Sequence, residues 1–288
     1  MSLREKLASG EFVVLAEMEP PKGVDVSAMV AHAARVKNRV DAFVVPEMSN
    51  AVMRMSSLGG CMVLAGKGLE TVLQVCCRDR NRLALQADLL AAHALGIANI
   101  MAVAGDDPSF GDHHRTRGVY DIDLMELLEG IQKLEGGRDM AGVELKGAPS
   151  FCVGSTVNAG ASGGMLDLEL QQLDKKIAAG ATFFMTPPVF DLQTLGRFAK
   201  RLGDRPCRIL PTVLLLKSAG MASYIDRHLD NVHVPSDIIR RIQKAGDKIR
   251  ECVQIARELV MGLRDAGYGG ALIATIGWED KLPSIVEG

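Results

Sequence analysis

Residues 71–108 read TVLQVCCRDRNRLALQADLLAAHALGIANIMAVAGDDP and contain one complete unit of the plan on which the chain is built. Thr71–Val75 is an apolar, β-branched run of strand length, and Arg80–Leu95 carries apolar residues at helical spacing. Gly96 supplies a turn, and Asn99–Val103 is a second apolar run. A strand, a helix and a strand in this order predict a parallel pair joined by a crossover.

The same alternation extends in both directions. Strands are expected at Phe12–Ala16, Ala42–Val45, Thr71–Val75, Asn99–Val103, Ser150–Val153, Thr182–Met185, Arg208–Val213 and Ala271–Thr275. Val26–Arg39 shows a helical stripe at Val26, Met29, Val30, Ala33 and Ala34 behind the cap candidate Asp25. Further helices are expected at Leu124–Leu134, Leu168–Ala179 and Leu192–Leu202. Eight βα units predict a (β/α)8 TIM barrel, read as a single domain over residues 1–288. No GxGxxG turn follows the first strand, which disfavours a doubly wound sheet, with an open sheet as the alternative. Residues 105–120 read as a long polar loop, and 218–266 as two or three extra helical stretches. The last helix, within 281–286, is short, so Leu3–Leu7 is expected to help close the barrel bottom.

Composition narrows the class. With 48% hydrophobic and 24% charged residues the chain can build a core, which excludes a disordered segment. A formal charge of −2 lacks the basic excess of a nucleic-acid binder. The start MSLREKLASGEF lacks the apolar run of a secretory signal, and nothing reaches the roughly 18 apolar residues of a membrane span, so a cytoplasmic protein is expected. The six cysteines show no CxxC spacing and no histidine cluster, which argues for buried thiols and against zinc. His113-His114 beside Asp112 lacks further ligands for a metal. Cys76-Cys77, adjacent at a strand end, read as packing residues more than as a redox pair.

In a barrel the chemistry sits where strands end, and these ends are acidic: Glu17 and Glu19, Glu47, then Gly105-Asp106-Asp107. A carboxylate on an apolar rim has its pKa raised by desolvation, which suits it to deliver a proton near neutral pH. Glu17 fits best, because Pro20-Pro21 fixes the course of the chain after it, although a glutamate after a strand is often simply solvated. Asp106 follows a glycine where the backbone turns closely; it can contact a ring nitrogen or merely shape a turn. Lys175-Lys176 reads as a solvated pair or as a charge for an anionic cofactor.

Seven stretches in order, among them AEMEPP at 16–21, NAVMRMS at 50–56, AVAGDDP at 102–108, YDIDL at 120–124, KIAAGA at 176–181, VFD at 189–191 and LKS at 216–218, resemble the methylenetetrahydrofolate reductases. The resemblance covers nearly the whole chain. It implies a barrel holding FAD, with FMN as the alternative, and hydride passing from NADH or NADPH through the flavin to methylenetetrahydrofolate, giving methyltetrahydrofolate for methionine biosynthesis. It gives Glu17 the role of general acid and Asp106 a contact to both flavin and pterin. Around the cofactor it places Gln74, Ala104, Gly105, Tyr120 and Asp121, and on the other side Asn158, Glu169, Gln172, Lys175 and Lys176. On the substrate side stand Thr186 and Trp278.

Several positions depart from the family pattern. Gln74 stands for a histidine, Gly154 and Asn158 for a tyrosine and a histidine, Pro187 for a glutamine that bonds the folate, Ala219 for an aromatic, and Trp278 for an arginine. Trp278 can stack on the aminobenzoyl ring or the nicotinamide instead. Two other functions share these residues: a pterin-dependent methyltransferase barrel needing no flavin, and a folate- or flavin-binding subunit whose partner supplies electrons. The resemblance also implies a homo-oligomer.

Overall fold

The computed structural model describes residues 1–287 and is a closed barrel of eight parallel strands in the order of the sequence. The strands are β1 (Val13–Glu17), β2 (Ala42–Val45), β3 (Thr71–Cys76), β4 (Asn99–Val103), β5 (Cys152–Thr156), β6 (Phe183–Pro188), β7 (Arg208–Leu214) and β8 (Gly270–Ala274). Each strand pairs only with its sequence neighbours and β8 closes on β1, with Val13 opposite Gly270 and Ala16 opposite Ile273. The eight expected strands are present, with ends shifted by a few residues.

Outside the barrel run α1 (Leu3–Ser9), α2 (Ser27–Val36), α3 (Ser57–Ala65), α4 (Arg82–Ala94), α5 (Leu124–Glu135), α6 (Gly163–Ala178), α7 (Leu192–Leu202), α8 (Ala219–His228), α9 (Ser236–Lys244), α10 (Lys248–Asp265) and α11 (Leu282–Val286). The 218–266 insertion thus holds three helices between β7 and β8. No helix of the described residues is long and apolar enough to cross a membrane.

Two apolar clusters follow from the alternation of side chains along each strand. Val13 and Leu15 of β1, Val44, Val72, Met101, Phe183 and Leu210 fill the lumen, while Val14, Ala16, Phe43, Leu73, Ile100 and Ile209 pack outward against the helices. Leu3 and Leu7 of α1 belong to the lumen cluster, so α1 plugs the barrel bottom as expected. It is fixed there by a capping box between Ser2 and Glu5, by Leu3 N–H donating to Glu70 (2.7 Å), and by Arg208 Nε donating to the Leu7 carbonyl (3.0 Å).

Three elements show where packing departs from the local reading. The helix α3 was not expected, because SLGGCMVLA holds two glycines and no polar face. Its Gly60 packs so closely on the sheet that a Cβ would lie 2.8 Å from Val45 Cγ1, so tertiary packing outweighs poor propensity. β5 extends through Gly154-Ser155-Thr156, where the glycine leaves room for the Phe183 ring in the lumen. α6 begins at Gly163 and includes a Gly-Gly pair that reads locally as a turn.

Candidate active site

Val13, Leu15 and Glu17 share one face of β1, so the inward set of that strand ends in a carboxylate over an apolar lumen. Gln74 continues the inward set of β3 after Val72 in the same way. Burial, and secondarily the charges of Glu19 and Glu279, push the Glu17 pKa up to about 7. A carboxyl with that value is protonated in a large fraction of molecules at neutral pH and can donate a proton.

Its neighbour Glu19 is set differently. Arg54 Nε lies 2.9 Å from Glu19 Oε1, yet its N–H finds no aligned acceptor, so the contact is a charge pair more than a hydrogen bond. Arg54 also donates weakly to the Pro20 carbonyl (3.4 Å). Burial raises the Glu19 pKa while Arg54 opposes that rise. Glu279 completes the acidic set from the turn after β8, accepting from Gly277 N–H (2.8 Å) and Thr275 Oγ1 (3.3 Å). Neither Arg54 nor Glu279 was picked out from the sequence. Glu47, the other acidic strand end, is buried and spent on Ser57 and Arg80, so it belongs to the scaffold.

Asp106 lies on the exposed loop after β4, three strands around from Glu17. Its Oδ2 accepts from Asn50 N–H (2.7 Å), which ties this loop to the loop after β2. That second loop is strained, with Met48, Asn50 and Ala51 all at positive φ (49°, 54° and 55°). Beneath both loops lies Arg78, 2% exposed, whose guanidinium donates to Asp79 (2.8 and 2.7 Å) and to the carbonyls of Glu47, Met48 and Asp106 (3.3 to 3.4 Å). Gly105 makes the close turn possible: its φ is +96°, and a Cβ there would overlap Cys76 Sγ and lie 2.8 Å from Arg78 Cβ. Gly105→Ala is therefore expected to cost about 1–3 kcal/mol. Chemical denaturation checks this, and a Gly105→Ala protein as stable as the parent would contradict the packing described.

The residues expected around a cofactor fall into two groups. Ala104 and Tyr120 are exposed at the rim, and Tyr120 holds a left-handed backbone (φ 40°). Asp121 pairs with Arg82 (2.9 Å), which keeps its carboxyl below the usual range. On the other side Asn158 N–H donates to Glu169 (2.9 Å), and Gln172 and Lys175 are exposed on α6. Lys176 is buried, its Nζ donates to the Thr156 carbonyl (2.8 Å), and burial lowers its pKa. Of the lysine pair, Lys175 presents its charge to solvent and Lys176 ties α6 to the end of β5. Gln74 Oε1 accepts from Glu47 N–H (2.7 Å).

Of the two residues expected on the substrate side, Thr186 is buried at the irregularity between β6 and β7. Its hydroxyl donates to the Pro187 carbonyl (2.7 Å) and accepts from Thr212 N–H (3.3 Å), so it serves the sheet. Trp278 is half-buried beside Lys217, whose Nζ is 5.3 Å from the ring centroid. A cavity of about 560 Å³ lies to one side of the mouth, lined by Pro187, Asp191, Arg197, Asp226 and His233. It shares no residue with the Glu17 cluster, so the cavity and the acidic strand ends lie at different places on the mouth. Among the described residues no group of His, Cys, Asp or Glu is arranged to hold a metal. Burial raises the thiols of Cys76 and Cys77 to about 11 and 12, which keeps them protonated.

Comparison with known proteins adds three findings. A family model described as methylenetetrahydrofolate reductase matches residues 2–287. Methylenetetrahydrofolate reductase 2 of Schizosaccharomyces pombe is 22% identical over 255 residues, which is 85% of this chain and 39% of that protein, so the chain spans about two-fifths of the relative's length. A solved structure of an uncharacterized Clostridium thermocellum protein, which binds two copies of 5-methyl-5,6,7,8-tetrahydrofolic acid, superposes with a TM-score of 0.62 at 13% identity, covering 99% of this chain and 96% of that one. At that identity the likeness is one of fold.

Proposed function

The chain belongs to the methylenetetrahydrofolate reductase family, and from that premise we propose that it reduces 5,10-methylenetetrahydrofolate to 5-methyltetrahydrofolate in a flavin-dependent reaction. The observation that carries the reading is Glu17, an inward carboxyl at the end of β1 with its pKa pushed up to about 7. Opening the five-membered ring of the folate requires a proton on a weakly basic nitrogen, and a carboxyl protonated near neutrality supplies it. The solved folate-binding neighbour on the same fold is in keeping with a pterin at this mouth.

The rim from β3 to β5 fits a flavin. Ala104 leaves the backbone open, Tyr120 exposes 46% of its surface as a ring for stacking, and Lys175 offers an exposed ammonium for a phosphate. Asp106, with one oxygen occupied by Asn50, keeps acceptor capacity for the N–H edge of a pterin or of the flavin. Gln74 on β3, Asp121 before α5, Asn158 after β5, and Glu169 and Gln172 on α6 are the further candidates for the flavin's contacts. A bound FAD would supply the hydride chemistry between NADH or NADPH, or an electron-donating partner subunit, and the folate. The chain's own part is to hold the two rings, exclude water and deliver the proton from Glu17. The same premise carries a cytoplasmic homo-oligomer.

The visible spectrum of the purified protein tests this reading. A yellow protein, or one that turns yellow with added FAD, is the expected result. A colourless protein that binds neither FAD nor FMN would overturn it in favour of the flavin-free methyltransferase.

A further inference from the structure

Asp112 belongs to no metal cluster among the described residues; it joins three loops of the barrel mouth. The segment between β4 and α5 reaches past the end of β3 to the loops that follow β2 and β1. At its middle, Asp112 Oδ1 accepts from Met53 N–H (3.0 Å), Oδ2 pairs with the Lys22 ammonium, and His113 Nδ1 lies 2.8 Å from Oδ1. Lys22 first, then the Met53 N–H and His113, holds this carboxyl below the usual range, so it stays charged where Glu17 titrates. Beside it Gly111 brings main chain against main chain, since a Cβ there would overlap the Ala51 carbonyl oxygen.

The loops joined at Asp112 carry the groups on both sides of the mouth. In the segment after β4, Asp106 accepts from Asn50 N–H (2.7 Å). In the loop after β2, Arg54 reaches Glu19 (2.9 Å), whose charge bears on Glu17, and Met55 N–H donates to the Pro21 carbonyl (3.0 Å). That loop is strained at Met48, Asn50 and Ala51, and such a backbone persists only where its surroundings fix it. Asp106 and Asp112 supply the fixing, one at Asn50 and the other at Met53, on either side of Ala51.

We propose that Asp112 is a positioning residue for the reduction: joined to Lys22 and to the Met53 amide, it locks the loops after β1, β2 and β4 into one rim and so keeps Asp106 and the Glu19–Arg54 pair in register across the mouth. This rests on the folate reading and adds the residue that sets the geometry of that site.

The variants Asp112→Ala, Lys22→Met and the two combined break the charged tie. Gly111→Ala parts the same loops without altering a charge. In the protein without ligand, hydrogen exchange at the Asn50 and Met53 amides is expected to quicken in Asp112→Ala and Gly111→Ala. Met18 N–H, which donates to the Val44 carbonyl (2.8 Å) in the barrel ladder, is expected to exchange as in the parent. Affinities for FAD and for 5-methyltetrahydrofolate, measured by calorimetry, are expected to fall about fivefold in Asp112→Ala. The combined variant is expected to bind no worse than Asp112→Ala, because both remove one contact. The gap between parent and Asp112→Ala is expected to close as salt rises from about 0.05 M to about 1 M, and the melting temperature to stay within about 2 °C. Equal affinities in the parent, Asp112→Ala and Gly111→Ala would overturn the proposal while the folate reading stands. A loss of affinity that follows the melting temperature and ignores salt would assign Asp112 to stability alone and overturn it as well. If the parent binds neither FAD nor 5-methyltetrahydrofolate, the folate reading falls and the assignment with it.

Discussion

Glu17→Gln is expected to leave reduction of the bound flavin by NADH or NADPH intact and to slow its reoxidation by methylenetetrahydrofolate by about a hundredfold or more. The amide keeps the shape of the carboxyl but cannot give up a proton, so only the half-reaction that needs the acid is affected. Anaerobic rapid mixing, with the flavin absorbance followed in each half-reaction, separates the two. Normal reoxidation in the variant would remove Glu17 from this role.

The same substitution has a stability consequence of definite sign. Burial favours the neutral carboxyl, so the contribution of Glu17 to stability is fully present at acid pH and is lost as pH rises through about 7. Glu17→Gln removes that loss and is expected to make the protein more stable than the parent above pH 7, by on the order of 2 kcal/mol allowing for its partial exposure. Below the ordinary carboxylate range the two should unfold alike. Urea unfolding at both pH values checks the sign, and an equal difference at both would contradict a raised pKa.

The second large effect is structural. Arg78→Met removes a buried guanidinium that serves Asp79 and three loop carbonyls. Removing one member of a buried ion pair costs about 3–5 kcal/mol, which for a chain of this size lowers the melting temperature by roughly 10 °C. Because Arg78 also holds the Asp106 and Met48 carbonyls, flavin affinity should fall with stability. Arg82→Met, at an exposed pair with Asp121, is the control and is expected to change stability by about 1 kcal/mol or less. If Arg78→Met melts with the parent, the arginine does not hold the loops.

The barrel was legible because periodicity is a local property: the apolar alternation of each strand and the stripe of each long helix are written in adjacent residues. The misplaced elements were those whose local signal is weak and whose packing is not, as with α3, where Gly60 lets the helix press on Val45 and Pro20. The place of Glu17 at the end of β1 was legible for a related reason, since a strand-end position in a barrel points to the mouth. Arg78 follows β3 by two residues and was open to the same argument, but in the run Cys77-Arg78-Asp79-Arg80-Asn81 it reads as one of several surface charges. Only the folded loops distinguish it. Lys176 was hidden likewise: its pairing with the Thr156 carbonyl depends on how α6 lies against β5. The tie between Asn50 and Asp106, and that between Lys217 and the Trp278 turn, join residues 56 and 59 apart in sequence, beyond the reach of any local pattern.

The pH dependence of flavin reoxidation by methylenetetrahydrofolate, measured in the parent protein between about pH 5 and pH 9, addresses the central claim most directly. If Glu17 is the acid, the protonated form is the active one, and the rate stays level at low pH and falls tenfold per pH unit above a pKa near 7. Glu17→Gln should show a low rate without that limb. A parent rate that is flat across the range, or that rises with pH, would contradict the assignment.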